Sequence, residues 1–127
     1  MNKVVHFEIP YENEERAKEF YQKVFGWQIM KMPDMEYNMV TTVDTDPQTM
    51  RPKTPGAING GMLKKDPTGT YPILVIDVEN VDAHAGKVEA AGGKVIMPKI
   101  PIGSFGYYAR VSDPEGNIIG IWEERQS

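Results

Sequence analysis

The chain has 127 residues, a length that suits a single domain, since domains commonly contain about 100–150 residues. Hydrophobic residues make up 40% and charged residues 25% of the sequence, which excludes wholesale disorder. The formal net charge of −4 argues against a nucleic-acid-binding protein that works by neutralising phosphates. Cysteine is absent, which excludes disulfides, thiolate metal sites and a cysteine nucleophile.

The sequence contains no segment that predicts contact with a membrane. No stretch approaches the roughly 18 consecutive apolar residues of a membrane-spanning helix. The first residues also lack the apolar run of a secretory signal. We therefore expect a cytoplasmic protein with neither a membrane nor a nucleic acid as partner.

The first half of the chain predicts a strand, a helix and three more strands. Residues 3–9 alternate in polarity before Pro10, which predicts a strand that ends there. Asn13 suits a helix N-cap, and apolar residues then recur at helical spacing up to Gly26, a typical helix terminator. The apolar face of this helix is predicted to comprise Ala17, Phe20, Tyr21 and Val24. Strands follow at 27–32, 35–43 and 57–64, with a loop at 44–56.

The second half repeats this order after a turn at 66–69. A strand is predicted at 72–78, and Asn80 begins a helix that runs through Ala91 to a pair of glycines. The remaining strands are predicted at 94–97, 106–112 and 118–124. Aligning Gly26 with Gly92 shifts the chain by 66 residues, about half its length, so the sequence predicts an internal duplication.

The expected fold class is α+β. Two βαβββ modules, about 1–65 and about 70–127, are predicted to form one domain of residues 1–127 with a cupped mixed sheet and the helices outside. Each module alone would expose one face of its sheet. Pairing the two sheets therefore creates a cup whose mouth is a natural ligand pocket.

Two short motifs are typical of a known superfamily. Residues 20–27 read Phe-Tyr-x-x-Val-Phe-Gly-Trp, and residues 113–117 read Asp-Pro-Glu-Gly-Asn. Together with residues 5–9 and 88–95, these motifs resemble the vicinal oxygen chelate superfamily, which includes glyoxalase I, bleomycin-resistance proteins and extradiol dioxygenases. The resemblance covers nearly the whole chain and implies the duplicated fold, a small-molecule pocket and a homodimer. Exposed strand edges give a physical reason for such association.

The resemblance also implies a metal site, with one ligand on the first and last strand of each module. Only His6 supplies a typical metal-binding side chain, whereas a divalent ion needs several nitrogen or oxygen donors. We therefore predict that the chain has no metal and no other cofactor. The alternative is a divalent metal held through His6, with Glu8 or Glu123 contributing from a shifted register. The four implied positions are His6, the segment 59–62, Ile73 and Gly120.

His6 and Glu8 are the candidate catalytic residues. Because side chains alternate along a strand, they share one face, while Phe7 and Ile9 face the helix. A His/Glu pair suits proton transfer or ligand binding. The alternative is a hydrogen-bonded histidine without a catalytic role, or polar groups at a dimer interface.

The candidate ligand-binding residues combine aromatic, polar and flexible side chains. Aromatic rings beside a guanidinium can hold a planar or anionic ligand, and methionine adapts to apolar ligands. The glycines after Asn59 either admit a ligand close to the backbone or form a β-bulge. Ordinary packing is the alternative for the remaining residues. The candidates are Tyr37, Asn59, Met62, Tyr107, Arg110 and Trp122.

Three functions follow from this sequence, and whether the chain is an enzyme stays open among them. The first is a metal-independent glyoxalase/bleomycin-resistance-like protein that binds a small organic molecule, with its reaction unassigned. The second is a glyoxalase-like lyase or isomerase, in which a metal polarises a carbonyl while a carboxylate moves a proton. The third is a binding protein that sequesters an antibiotic.

Overall fold

The computed structural model describes residues 1–125, and this part of the chain contains eight strands and two helices. The order of one strand, one helix and three strands occurs twice, so the α+β class and the duplicated order are confirmed. The predicted domain extended to residue 127, which lies outside the described residues. The elements are β1 (Val4–Tyr11), α1 (Glu14–Phe25), β2 (Gln28–Lys31), β3 (Asn38–Thr41), β4 (Gly60–Lys64), β5 (Ile73–Asp77), α2 (Val81–Ala90), β6 (Lys94–Ile102), β7 (Gly106–Ser112) and β8 (Ile118–Glu124).

Several strand boundaries differ from those predicted, mostly near prolines. Strand β1 continues through Pro10 to Tyr11, instead of ending at the proline. Strand β6 runs to Ile102 through two prolines, because it lies at an edge of its sheet, where a residue without an N–H group is tolerated. Strand β3 starts at residue 38 rather than 35, after a turn in which Asp34 adopts a positive φ of 64°.

The first of two compact units comprises His6–Pro72. Its strands lie in the order β2-β3-β4-β1; β1 pairs with β4 in parallel, and the other two pairs are antiparallel. Helix α1 begins after Asn13, whose side chain accepts a hydrogen bond from the Arg16 amide, and it ends at Gly26, which has a φ of 70°. Both helix ends were therefore predicted correctly.

One face of this sheet packs against α1 and forms the core of the first unit. Ala17 and Tyr21 face this core, but Phe20 and Val24, predicted for the same apolar face, are 53% and 55% exposed. The apolar stripe of α1 is thus wider than the sheet surface that it covers. The buried residues of this core are Tyr11, Val40 and Met62, packed against Phe7, Ile9, Trp27 and Ile29.

The second unit comprises Met1–Val5 and the chain from Ile73 onward. The N-terminal segment belongs here because the carbonyl of Lys3 accepts a hydrogen bond from the Asp77 amide at 2.9 Å. The strands lie in the order β5-β8-β7-β6; β5 and β8 are parallel, and the other two pairs are antiparallel. The core beneath α2 consists of Val78, Val81, Ala109, Val111 and Ile121.

Helix α2 is capped by two side chains at its start. The Asn80 side chain accepts a hydrogen bond from the Ala83 amide, and Glu123 Oε1 accepts one from the Val81 amide, each at 2.8 Å. A carboxylate at this end also interacts favourably with the helix dipole. Neither helix of the described residues has the length and apolar character needed to cross a membrane.

Candidate functional site

The face of the first unit's sheet that lies opposite α1 carries the candidate catalytic residues, and we call it the His6 face. Its members are His6 and Glu8 on β1, Met39 on β3 and Gly61 on β4. Glu8 pairs with Gly61, which in turn pairs with Met39, so these residues point to the same side. The helix-facing residues of β1 pack in the core instead, as the alternation of the sequence predicted.

Tyr37 extends over this face and reaches His6. Its hydroxyl lies 2.6 Å from Nε2 of His6, and the two rings are nearly parallel, with an angle of 15° between them. Gly61 makes this position possible, because a Cβ atom at residue 61 would overlap the Tyr37 hydroxyl. The sequence predicted Tyr37 as a ligand-binding residue but gave no sign that it pairs with His6.

Burial lowers the pKa of His6 below its ordinary value of 6.5, and the charge of Glu8 partly opposes this effect by raising it. The imidazole is therefore predominantly neutral at pH 7 and carries one N–H group. Glu8 itself is buried, with 5% of its surface exposed. The His6 face thus combines a neutral imidazole, a phenol hydroxyl and an acidic side chain.

Two other candidates in the first unit do not lie with His6. Met62 is fully buried in the core beneath α1, on the opposite side of the sheet. The Asn59 side chain fastens the loop after β3: its Oδ1 accepts hydrogen bonds from the amides of Thr42 and Val43, and its Nδ2 donates one to the Thr45 hydroxyl. The sequence did not predict this role, because the hydrogen bonds link Asn59 to residues 14 to 17 positions earlier.

In the second unit, Arg110 and Trp122 share the face opposite α2, which we call the Arg110 face. Arg110 is 3% exposed, and its Nε donates a hydrogen bond of 3.1 Å to the Tyr108 hydroxyl. That hydroxyl would lie 2.7 Å from a Cβ atom at Gly120, so glycine again leaves room for a tyrosine. Trp122 pairs with Tyr108 across β8 and β7 and thus points to the same side.

Tyr107 points the other way, into the core beneath α2. Its hydroxyl accepts a hydrogen bond from Arg125 at 2.9 Å, and Lys99 Nζ lies 4.9 Å from its ring centroid. Tyr107 was predicted together with Arg110 as ligand-binding, but strict alternation from Arg110 selects Tyr108 in place of Tyr107.

The two units repeat one arrangement of tyrosine and glycine. In the first unit, Tyr37 lies two residues before Met39, which pairs with Gly61 of the last strand. In the second unit, Tyr108 lies two residues before Arg110, which pairs with Gly120 of the last strand. The repeat therefore extends from the order of the elements to the packing of single side chains, which supports the internal duplication. The two sets are Tyr37, Met39 and Gly61 in the first unit, and Tyr108, Arg110 and Gly120 in the second.

Comparison with known proteins agrees with this fold. Residues 3–43 match the family described as bleomycin resistance protein-like N-terminal. The putative glyoxylase CFP32 of Mycobacterium tuberculosis is 34% identical over 113 residues, which cover 84% of this chain and 40% of that protein. The solved structure of a glyoxalase/bleomycin resistance protein/dioxygenase superfamily member from Vibrio splendidus 12B01 aligns over 98% of this chain and 100% of the other, with 15% identity and a TM-score of 0.61. These matches support the vicinal oxygen chelate superfamily as the family of this chain.

The matches thus bear out the resemblance drawn from the sequence motifs. A further relative in the superfamily comparison is the anthracycline biosynthesis protein DnrV of Streptomyces peucetius, which is 26% identical over 121 residues, covering 85% of this chain and 42% of that protein. The chain thus spans about two fifths of the length of the curated relatives that it matches.

The superfamily's metal positions can be tested against these side chains. His6 is hydrogen-bonded to Tyr37, and Gly61 has no side chain to offer. In the second unit, Ile73 and Gly120 likewise carry no nitrogen or oxygen donor in their side chains. These four residues therefore do not fit a divalent ion.

The two acidic residues considered as substitute ligands do not complete the set. Glu123 accepts a hydrogen bond at the start of α2, and Glu8 adds one carboxylate to the His6 face. Within residues 1–125, no group of three or more His, Asp or Glu side chains is close enough together to hold a metal ion.

Proposed function

We propose that this chain binds a small organic molecule at the His6 face and does so without a divalent metal. The observation that carries the proposal is the position of the Tyr37 hydroxyl, 2.6 Å from Nε2 of His6 and directly over Gly61. The single imidazole among the superfamily's ligand positions is thus already hydrogen-bonded to a phenol. Similarity to glyoxalases and bleomycin-resistance proteins supports a small molecule as the partner.

The composition of the His6 face supports a ligand with a polar group on an apolar body. His6, Tyr37 and Glu8 supply hydrogen-bonding groups, which orient a ligand more than they add to its affinity. Met39 lies on the same face, and Met30 pairs with it across β2 and β3. Methionine side chains are flexible and polarizable, so they can adapt to apolar surfaces of different shape.

Metal analysis tests the absence of a metal. Protein purified without chelator and then incubated with Zn²⁺, Mn²⁺ or Ni²⁺ should retain far less than one ion per chain after desalting, and its melting temperature should not change. His84→Ala is the matched control for His6→Ala, because His84 is the other histidine and lies on α2. One tightly held ion per chain that is lost in His6→Ala and retained in His84→Ala would contradict the proposal.

A ligand screen tests the binding itself. A library of small organic molecules is added to ¹⁵N-labelled protein, and backbone amide shifts are followed by NMR. Binding should move the amides of His6, Glu8 and Gly61, whereas Gly86 on α2 serves as a distant reference. A library in which no molecule moves the three amides would contradict a binding site at this face.

A glyoxalase-like lyase or isomerase is the second candidate, favoured by the 34% identity to a putative glyoxylase. In that case the chain should isomerise a hemithioacetal when a divalent metal is added, and His6→Ala should abolish the turnover. Absence of turnover with each added metal would remove this candidate and leave the first intact.

Sequestration of an antibiotic is the third candidate. The match to a bleomycin resistance protein-like family and the 26% identity to an anthracycline biosynthesis protein favour it. Titration calorimetry with bleomycin and with an anthracycline tests it directly. Heats no larger than those of dilution for both compounds would remove it.

We also propose that the chain forms a homodimer. Strand β2 lies at the edge of the first unit's sheet, so its outer N–H and C=O groups are available for pairing with a second copy. Sedimentation equilibrium should give the mass of two chains, and a single-chain mass at micromolar concentration would contradict the dimer. A cytoplasmic location stays a prediction from the sequence.

A further inference from the structure

We infer that this chain has a second binding site, separate from the His6 face, and that this site takes a small aromatic carboxylate. The site is a cavity of about 320 Å³ beside helix α1, and we call it the α1 cavity. The residues that line it belong to the first unit, and neither His6 nor Glu8 is among them. A cavity of this volume is large enough for a small organic ligand.

Aromatic side chains form the apolar wall of the α1 cavity. The ring of Tyr21 stacks against Trp27, with a centroid distance of 5.1 Å and an angle of 7° between the rings. Phe20 stands at 88° to Tyr21, and 53% of its surface is exposed. Ala17 also lines the cavity, and its small side chain leaves space beside these rings. An aromatic ligand can pack on Phe20 edge to face or in an offset stack, the arrangements that aromatic pairs prefer, so we expect the ligand to have an aromatic body.

The charged side chains of the α1 cavity decide the charge of the ligand. Two cations, Arg16 and Lys65, and one anion, Glu12, line the cavity. Lys65 and Glu12 pair with each other, since Nζ of the lysine lies 3.3 Å from Oε1 of the glutamate. Among the described residues 1–125, none forms an ion pair or a hydrogen bond with the Arg16 side chain. The cavity therefore carries one positive charge that complements an anion.

The other acidic residues of α1 leave this charge in place. Glu14 forms an ion pair with Lys18, at 3.2 Å between Nζ and Oε1. Glu15 and Glu19 do not line the cavity. A guanidinium binds a carboxylate through two parallel hydrogen bonds, and the single charge of Arg16 balances a carboxylate rather than a doubly charged phosphate. A carboxylate on an aromatic ring therefore complements both the charge and the apolar wall of the α1 cavity.

Three probes of similar size test the ligand class: 2-naphthoate, its uncharged analogue 2-naphthamide, and the non-aromatic anion decahydronaphthalene-2-carboxylate. Binding to the full chain is followed by ¹⁵N NMR through the backbone amides of Ala17 and Lys65, which line the cavity. 2-Naphthoate should bind most tightly of the three. Its affinity should exceed that of 2-naphthamide about threefold, a usual contribution of an ion pair between exposed groups.

Arg16→Gln tests the charge of the site. This change should lower the affinity for 2-naphthoate to that for 2-naphthamide and leave the affinity for 2-naphthamide unchanged. Lys23→Gln is the matched control, because it removes the same charge from the last turn of α1, outside the cavity, and should alter neither affinity.

Phe20→Ala tests the apolar wall. This change should weaken the binding of both aromatic probes. Phe105→Ala is the matched control, because Phe105 is also 53% exposed but belongs to the second unit, and both affinities should stay the same in this variant. The dispersion of the amide spectrum verifies that each variant is folded.

The outcomes separate this inference from the proposed function. Equal affinities for 2-naphthoate and 2-naphthamide, or an unchanged affinity for 2-naphthoate in Arg16→Gln, would overturn the inference. The same holds if none of the three probes moves the amides of Ala17 and Lys65. Each of these results leaves the proposed function intact, because that function is tested through the amides of His6 and Gly61 on the other side of the sheet.

Discussion

The hydroxyl of Tyr37 occupies the space that the first carbon of any side chain at position 61 would need. Gly61 is thus part of the His6 face although it contributes no functional group. The hydrogen bond between Tyr37 and His6, 2.6 Å long, depends on Gly61 of β4, whereas His6 lies on β1 and Tyr37 just before β3. This dependence can be measured by a change of one methyl group.

Gly61→Ala should displace Tyr37 and break its hydrogen bond to His6. The far end of a tyrosine can swing away, so we expect the fold to persist with a free energy of unfolding about 1 kcal/mol lower, the net contribution of one hydrogen bond. Urea unfolding measures the change, and the His6 ring resonances report the lost contact. Gly86→Ala is the control: its added Cβ meets open space on α2, and alanine favours a helix, so this variant should be slightly more stable.

Glu8→Gln should lower the pKa of His6 further, because Glu8 is the group that raises it. NMR titration of the His6 ring measures the pKa, and Glu12→Gln, a change at an exposed residue just beyond β1, should leave it unaltered. Since the pKa of His6 in the folded protein is below the ordinary 6.5, the unfolded chain binds more protons between these two values. The His6 contribution to stability is therefore present above pH 6.5 and is lost as the pH falls through the folded pKa. A higher His6 pKa in Glu8→Gln would contradict the stated cause.

Tyr11 should make the protein less stable at alkaline pH. Burial, and next the hydrogen bond that its hydroxyl donates to Glu14, raise the pKa of Tyr11 from 10.0 to about 12. The folded state thus holds the phenol proton more tightly than the unfolded chain does. The corresponding stability is fully present below pH 10 and is lost as the pH rises toward 12.

Tyr11→Phe should remove this alkaline loss, as measured by unfolding at several pH values from 9 to 12. The same change should raise the pKa of Glu14, because the Tyr11 hydroxyl is the largest of the influences that lower it. Tyr71→Phe is the control, since Tyr71 is 78% exposed. The prediction would be contradicted if the free energy of unfolding fell equally between pH 9 and 12 in the unmodified protein and in Tyr11→Phe.

Asn59→Ala should weaken the fold rather than ligand contacts. The side chain makes several hydrogen bonds to the loop after β3, so its removal should lower the free energy of unfolding by about 1–3 kcal/mol. Asn59→Asp keeps Oδ1 as acceptor but loses the hydrogen bond that Nδ2 donates to Thr45. The free energy of unfolding should therefore fall less in Asn59→Asp than in Asn59→Ala. A stability unchanged in Asn59→Ala, together with weaker ligand binding, would instead support the ligand-binding role predicted from the sequence.

The sequence predicted the fold well because its signals are local. Asn13 and Gly26 mark both ends of α1 through cap chemistry that involves only their neighbours. Alternation in β1 correctly separated His6 from the core-facing Phe7. Strand β6 was predicted too short, because Pro98 and Pro101 suggest an end unless the strand is known to lie at a sheet edge.

The site was harder to predict because its contacts join residues that are distant in sequence. His6 meets Tyr37 across 31 residues, and Asn59 fastens a loop 14 to 17 residues earlier. No periodicity encodes such pairs. Met62 was selected for its residue type, but the register of β4 with β1 places it beside Ile9 in the core. Side-chain type identified plausible chemistry, whereas strand register decided which residues meet.

The repeated tyrosine over glycine has a consequence for any attempt to build a metal-binding side chain into these sheets. A glutamate installed at position 61 or 120 would need the space that the hydroxyl of Tyr37 or Tyr108 occupies, so that tyrosine would have to swing away. A smaller residue in place of the tyrosine would leave room for the new carboxylate, so the two positions are coupled in either half. A metal ligand at position 61 or 120 is therefore reached more readily by paired changes than by single mutations.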